Sequence, residues 1–455
     1  MISLVYIFIL LFAILALGSM LARILNRKAL LYAFSVLTIA AIAATAADFI
    51  FSGSFGIYLG ILSLNPFSSL MIILFAAATI LILSYSLEES TYEDFALLLS
   101  FDFIGASVVA MANSLITIFL GLELVAIPTT IMILLSRKSL EAGIKYFVIT
   151  AIASSLLAFG IALVYLFSGN LLLLSQPYSV GLAFALVMFI AAIGIEASVF
   201  PFNLWVPDVY QGSPSFVTSV LGGINKKVGL IALVEVVLIM FGTYTIVAYL
   251  VAVLAILTMF YGNLGALRQQ NIKRMLAYSS ISQAGYIMIG LATLTSYGIS
   301  ASIFQIFAHI FMFVGAFAIV SWLEGKNRVN INEYVGLNSE NRLAALGLSI
   351  FLLSMAGIPF TVGFVGKFLL FSSAIYANMA WLAILGIIST VISIYYYSRV
   401  IIAIYTNRAG TVYIHMHRNV AAVVAACIVI VIAFGIYPGP AIHAVESAGT
   451  YLMHG

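Results

Sequence analysis

Charge is what this chain has least of. Only 7% of its 455 residues are Asp, Glu, Lys or Arg, while 64% are hydrophobic. A soluble domain carries about a quarter charged residues, so this balance excludes one. Cysteine is nearly missing too. The single Cys427 excludes an iron–sulfur cluster, an all-cysteine zinc site and a disulfide framework. No glycine-rich phosphate loop, GxGxxG fingerprint or HExxH pair occurs, so neither a nucleotide site nor a redox site is expected in the chain. His415 and His417 stand close together in HMHR, but two ligands do not make a metal site. The amino-terminal run MISLVYIFILLFAILALGSML lacks the basic stretch of a cleaved signal peptide and is long enough to span a bilayer. It is read as a retained first helix.

Long apolar runs fill the rest. They predict an all-α, polytopic membrane fold of about fourteen spans at roughly 20 residues each. The runs centre near Leu10, Ile39, Phe75, Ala106, Leu122, Ser155, Phe189, Leu230, Val253, Ile287, Ile310, Leu353, Ile388 and Ile428. Short connections leave no room for a soluble domain. Arg23, Arg27 and Lys28 follow the first span, Arg137 and Lys138 the fifth, and Arg268, Lys273 and Arg274 the ninth. Lys326, Arg328 and Arg342 follow the eleventh, and Arg408 and Arg418 the thirteenth. With alternating spans all of these fall on one side, and the opposite loops near 51–66, 168–180, 241–246 and 295–299 hold no Lys or Arg. The positive-inside rule makes the basic loops cytoplasmic and places both termini outside.

Two later runs are interrupted by prolines, FPFNLWVPDVYQGSPS around Pro201 and Pro207 and MAGIPFTVGFVGKF around Pro359. Proline removes a backbone donor and clashes one turn back, so the seventh and twelfth spans should break. Matching interruptions in two halves point to an inverted-repeat transporter.

Against this background a few ionisable residues stand out: Glu123, Glu196, the pair Lys226–Lys227, and Lys367. A charge at the bilayer centre costs roughly 2.5–3.5 kcal/mol, and such residues usually line an ion path. Burial disfavours the charged form of acids and lysines alike, so both become able to exchange protons. His309 lies well inside an apolar run and suits the same use, although a helix–helix hydrogen bond is its plain alternative. Lys145 lies one turn inside its span, where it could connect to the series or snorkel to the surface, and Glu141 is four residues before it. Asp102, Glu235 and Lys227 are candidate counter-ions, with structural pairing as the other reading.

Five strings in order, FLGLELVAIP, SLEAGIKY, PFNLWVPDVYQGSPSFVTS, NIKRMLAYSSISQAGYIMIGL and AGIPFTVGFVGKF, lie between about residues 100 and 400. Through them the chain resembles the antiporter-like membrane subunits of respiratory complex I (NADH–quinone oxidoreductase), and DVYQG favours subunit N. The resemblance implies helices 1–3 in residues 1–90 and two inverted five-helix repeats, helices 4–8 in 91–241 and helices 9–13 in 244–407. A last helix and tail fill 408–455. It also implies a proton relay, onto which Glu123, Lys145, Lys226 and Lys367 map, with His309 at a position that is polar in relatives. No cofactor is implied for this chain; quinone, flavin and iron–sulfur clusters are expected in partner subunits. The implied partners are other membrane and peripheral subunits, paralogous antiporter-like ones included, within the lipid bilayer of a prokaryotic cell membrane, with no nucleic acid.

One match departs from the family. Glu196 occupies the position of the lysine of broken helix seven, Glu235 stands where an arginine is frequent, and Lys227 is an added base. A Glu123–Glu196 pair repels when both are ionised and favours a shared proton. The reading adopted at this point pairs Glu196 with Lys226 or Lys227. The functional expectation is a proton-translocating subunit of a quinone-reducing complex with NADH or another donor. Its alternatives are a multi-subunit cation/proton antiporter and a structural subunit with a degenerate channel.

Overall fold

The computed structural model describes residues 4–25, 27–52, 56–58, 60–407 and 413–454, and Arg408 lies outside them. In chain order the helices begin with α1 (Leu4–Ile24), α2 (Lys28–Ser52), α3 (Pro66–Tyr85), α4 (Tyr92–Ala110), α5 (Leu115–Leu134), α6 (Leu140–Ser168) and α7 (Val180–Ala197). Next come α8 (Val206–Gly212), α9 (Ser215–Val220), a π-helical turn Leu221–Asn225, α10 (Lys226–Leu233) and a second π-helical stretch Val234–Met240. Then follow α11 (Thr245–Ala266), α12 (Ile272–Ala292), α13 (Ser296–Glu324), α14 (Leu337–Glu340), α15 (Arg342–Ala356), α16 (Val362–Tyr376), α17 (Ala380–Tyr405), α18 (Arg418–Ile436) and α19 (Gly439–His454). All fourteen expected centres lie in helices.

Among the described residues ten helices are long and apolar enough to cross a membrane. Neither α4 nor α12 is one of them. The reason is polarity. Helix α4 carries Glu93, Asp94 and Asp102, and α12 carries Gln283 and several serines and tyrosines. Helices α15 and α16 are apolar but shorter. The departure from an all-helical chain is a small antiparallel hairpin, β1 (Gly56–Tyr58) and β2 (Leu62–Leu64), with Ile57 opposite Ser63. It leads into α3, whose start is set by Pro66 in the first turn and a reciprocal Asn65–Ser68 capping box.

Contacts group the chain into two units. The first comprises Met1–Ser198, Ile224–Val247 and Ala444–Gly455. Within it α4 packs on α5, α6 on α7, and α10 on α7. Two contacts there depend on glycine. A Cβ on Gly105 would lie 2.9 Å from the Gly121 carbonyl oxygen, and one on Gly229 would lie 2.5 Å from the Ala197 nitrogen. Small residues let helix backbones touch where lipid supplies no hydrophobic drive. Gly229→Ala therefore should force α10 off α7 and destabilise the chain by about 1–3 kcal/mol. A melting curve in detergent checks this, and an unchanged midpoint refutes the contact.

The second unit comprises Val199–Gly223 and Ala248–His443. Its centre is α13, which is buried through its apolar length and packs against α9, α12, α15, α16 and α18. Helix α13 carries Gln305 and His309 within its span, and polar side chains at membrane depth face the bundle interior rather than lipid.

Candidate ion-pathway site

In the first unit the site begins where α7 stops. Helix α7 ends at Ala197, and Ser198 takes the left-handed conformation as its cap. Glu196 is thus in the last turn, beside carbonyls that have no helical partner. Glu196 lines a small cavity together with Glu123 of α5 and Ser154 of α6. The cavity measures about 10 Å³, close to the least that one water occupies. The Ser154 hydroxyl bonds the Glu123 carboxylate in a short contact. The two carboxylates act on each other electrostatically.

The charged group that shares the cavity with Glu196 is Glu123, while α10, which carries Lys226 and Lys227, approaches α7 closely at its backbone. Helix α10 meets α7 through Gly229 at the Glu196–Ala197 backbone. Lys226 and Lys227 open α10 and are 2% and 1% exposed. A π-helical stretch lies on each side of α10, a backbone form frequent at functional sites. Glu235, in the second stretch, is buried, and its Oε2 lacks a hydrogen bond.

Asp102 of α4 is fully buried, and its Oδ1 accepts the Thr129 hydroxyl at 2.9 Å. Asn225 donates its Nδ2 to the same Thr129 oxygen at 2.6 Å. This chain ends one residue before Lys226, which gives Asp102 a positioning link to the start of α10. Lys145 is different. It is 42% exposed in its side chain and pairs with Glu141 at 2.7 Å.

In the second unit Lys367 sits at the other helix interruption. Helix α15 ends at Ala356, and Gly357 caps it with φ +86°, a conformation that glycine adopts without strain. Lys367, on α16, reaches back and donates to the Ala356 carbonyl at 3.1 Å. A cation at a helix C-terminus is stabilised by the helix dipole. Its Nζ also lies 4.5 Å from the centroid of the Tyr286 ring, a cation–π contact. Tyr286 continues the polar track. Its hydroxyl accepts from Asn263 at 3.0 Å and donates to Ser389 at 3.3 Å, and Tyr396 donates to Asn263 at 2.9 Å. On α13, Gln305 donates to Gln283 at 2.9 Å. His309, one turn further on, is 1% exposed and stacks on Phe313.

Sequence reasoning missed Ser154, Thr129, Asn263 and Tyr286. Serine, threonine and tyrosine recur throughout these helices, so none announces itself. Tyr286 and Gln283 did lie in the ISQAGY part of a diagnostic string, which was the one usable signal.

Lys273 was expected in a basic loop. It lies instead in the first turn of α12, buried, donating to Glu324 at 2.6 Å and to the Ser213 carbonyl at 2.5 Å. Glu324 in turn accepts the Ser215 N–H at 2.8 Å. The chain leaves α8 and enters α9 at this point, and the lysine satisfies a carbonyl that the turn strands. Nearby, Glu333 accepts the N–H groups of Val329 and Asn330 at 2.6 and 2.7 Å. The Asn330 N–H, joined by that of Val329, holds the Glu333 carboxyl below the usual glutamate range. A lowered folded value contributes stability above the ordinary pKa of about 4.3, and this is lost as pH falls through the lowered value. Amide exchange at Val329 and Asn330, corrected for intrinsic rates, should therefore accelerate on acidification below that range. Glu333→Gln should abolish the pH dependence.

The profile described as "NADH:quinone oxidoreductase/Mrp antiporter, TM" matches residues 112–393. NADH-quinone oxidoreductase subunit N of Desulforamulus reducens is 40% identical over 75% of this chain and 74% of its own length. F(420)H(2) dehydrogenase subunit N of Methanosarcina mazei is 32% identical over 89% of this chain and 87% of its own. A chain of respiratory complex I from Thermus thermophilus superposes with a TM-score of 0.85 at 26% identity, over 96% of this chain and 99% of that one. The chain is thus a multi-pass membrane protein that belongs to the NADH:quinone oxidoreductase/Mrp antiporter family, alongside its subunit N members.

Proposed function

We propose that this chain is the proton-translocating subunit N of a complex I-like, quinone-reducing assembly. The observation that carries the reading is the meeting of Glu123, Ser154 and Glu196 around a water-sized cavity in the first unit. Two carboxylates that repel when both are charged hold one proton between them. Loading and emptying of that site is the elementary step. Lys226, buried next in the chain, and Lys367 with His309 in the second unit are the further relay members. Lys145 is the connector at the protein's edge. Asp102, Glu235 and Lys227 serve as counter-ions.

Redox chemistry belongs to partner subunits, which carry the flavin, iron–sulfur clusters and quinone, and the relay responds to it by linkage. The donor is NADH or a reduced deazaflavin, as the names of the relatives suggest. Neighbours in the membrane are paralogous antiporter-like subunits. The basic loops face the cytoplasm. Residues 91–241 and 244–407 are the two inverted repeats, with interruptions at 198–205 and 357–361.

The test uses the assembled complex in sealed vesicles, with donor oxidation and lumen acidification followed together. Lys226→Ala should sharply reduce acidification per electron, and normal acidification would count against the reading. Sodium uptake without any donor would instead favour the antiporter alternative. Normal pumping after neutralising Glu123, Glu196, Lys226 and Lys367 together would make the chain a structural subunit.

A further inference from the structure

The mechanism above leaves one basic cavity unused. It has a volume of about 750 Å³ and lies where α15 and α18 begin, in the second unit. Ser339, Asn341, Arg342, Tyr413, His415 and Arg418 line it. The side chains of Arg342, Arg418 and His415 make no hydrogen bond or ion pair with any described residue. Two other arginines of the basic face are paired with carboxylates, Arg274 with Asp208 at 2.7 Å and Arg328 with Glu340 through two nitrogens. Two arginines facing one cavity without a carboxylate form a site for an anion. The start of α18 adds to it, since this 19-residue helix has no side-chain cap and its first N–H groups favour negative charge.

What lies below the cavity identifies the ligand. From Arg418 the same face of α18 continues through Ala422, Ala425 and Val429, all exposed. From Arg342 the same face of α15 continues through Leu346 and Leu353, also exposed. The two helices are in contact. A charged head followed by two parallel apolar strips is complementary to a phospholipid rather than to a free ion. We propose that this cavity is the headgroup site of an anionic phospholipid, with its phosphate between Arg342 and Arg418 and its acyl chains along α15 and α18. Basic pockets among helix ends on the basic face of a membrane protein suit such headgroups.

The experiment uses the purified full chain in detergent, with lipid retention read by native mass spectrometry against phosphatidylglycerol, phosphatidylcholine or inorganic phosphate. Phosphatidylglycerol should be retained and phosphatidylcholine not. The double variant Arg342→Gln/Arg418→Gln should weaken retention about thirtyfold, equivalent to about 2 kcal/mol at 1.4 kcal/mol per tenfold, as two basic groups at an anionic surface contribute. Arg342→Lys/Arg418→Lys should keep most of the affinity. Each single glutamine variant should lose about fivefold, which decides the matter if the double variant does not fold. Equal retention by the glutamine variants, or equal binding of phosphatidylcholine, overturns the site. Displacement of the lipid by millimolar phosphate would assign the cavity to a free anion and overturn it as well. None of these readouts depends on proton pumping.

Discussion

Glu196→Gln should cut proton translocation per electron by roughly a hundredfold, the lower end of what a positioned acid–base group contributes to proton transfer. The substitution preserves shape and leaves Glu123 with its Ser154 bond, so the chain should fold and melt as before. What it removes is the ionisable group that faces Glu123 across the cavity, the one proposed to share its proton. Glu196→Lys is the informative companion. It installs the lysine that the family resemblance implies for this position, places a cation beside Glu123, and suits the C-terminal end of α7 better than a carboxylate does. Pumping should therefore survive Glu196→Lys far better than Glu196→Gln. Equal pumping by Glu196→Gln and the unaltered chain would take this carboxylate off the path.

The second large effect is expected at Lys367. Lys367→Ala removes the donor to the Ala356 carbonyl and the cation above Tyr286. Transport should fall by about a hundredfold or more for the same reason as above. Tyr286→Phe tests the surroundings separately. It keeps the ring under the ammonium group but cuts the links to Asn263 and Ser389. If protons use that hydroxyl track, Tyr286→Phe slows transport while Lys367 stays in place. If the ring alone matters, Tyr286→Phe is silent and Tyr286→Leu is not. Acidification by reconstituted complexes separates these outcomes.

Helix positions were legible because lipid imposes a length and an apolarity that few other environments demand. The charged members were legible for the complementary reason: Glu123, Lys226 and Lys367 are costly where they stand. Their partners were not. Ser154 also bonds the Thr150 carbonyl one turn back, as helical serines commonly do, and nothing in the chain marks its second bond to Glu123. The surroundings of Glu196 were not legible, because charge alternation in a sequence says nothing about backbone approach. Gly229 brings the main chain of α10 against Glu196 and Ala197. Lys273 shows the converse. A lysine beside an arginine reads as a loop cation until the stranded Ser213 carbonyl and Glu324 come into view.

The sheathed position of α13 bears on how the protein is made. Its neighbours include α9 and α12, which precede it in synthesis, and α15, α16 and α18, which follow. When α13 first enters the bilayer, the flank later covered by the following helices faces lipid or the insertion machinery. His309, Gln305 and Glu324 must travel on a helix whose enclosure is incomplete. Chains halted before α18 should thus remain loosely packed, exposed to membrane proteases, until the closing helix arrives.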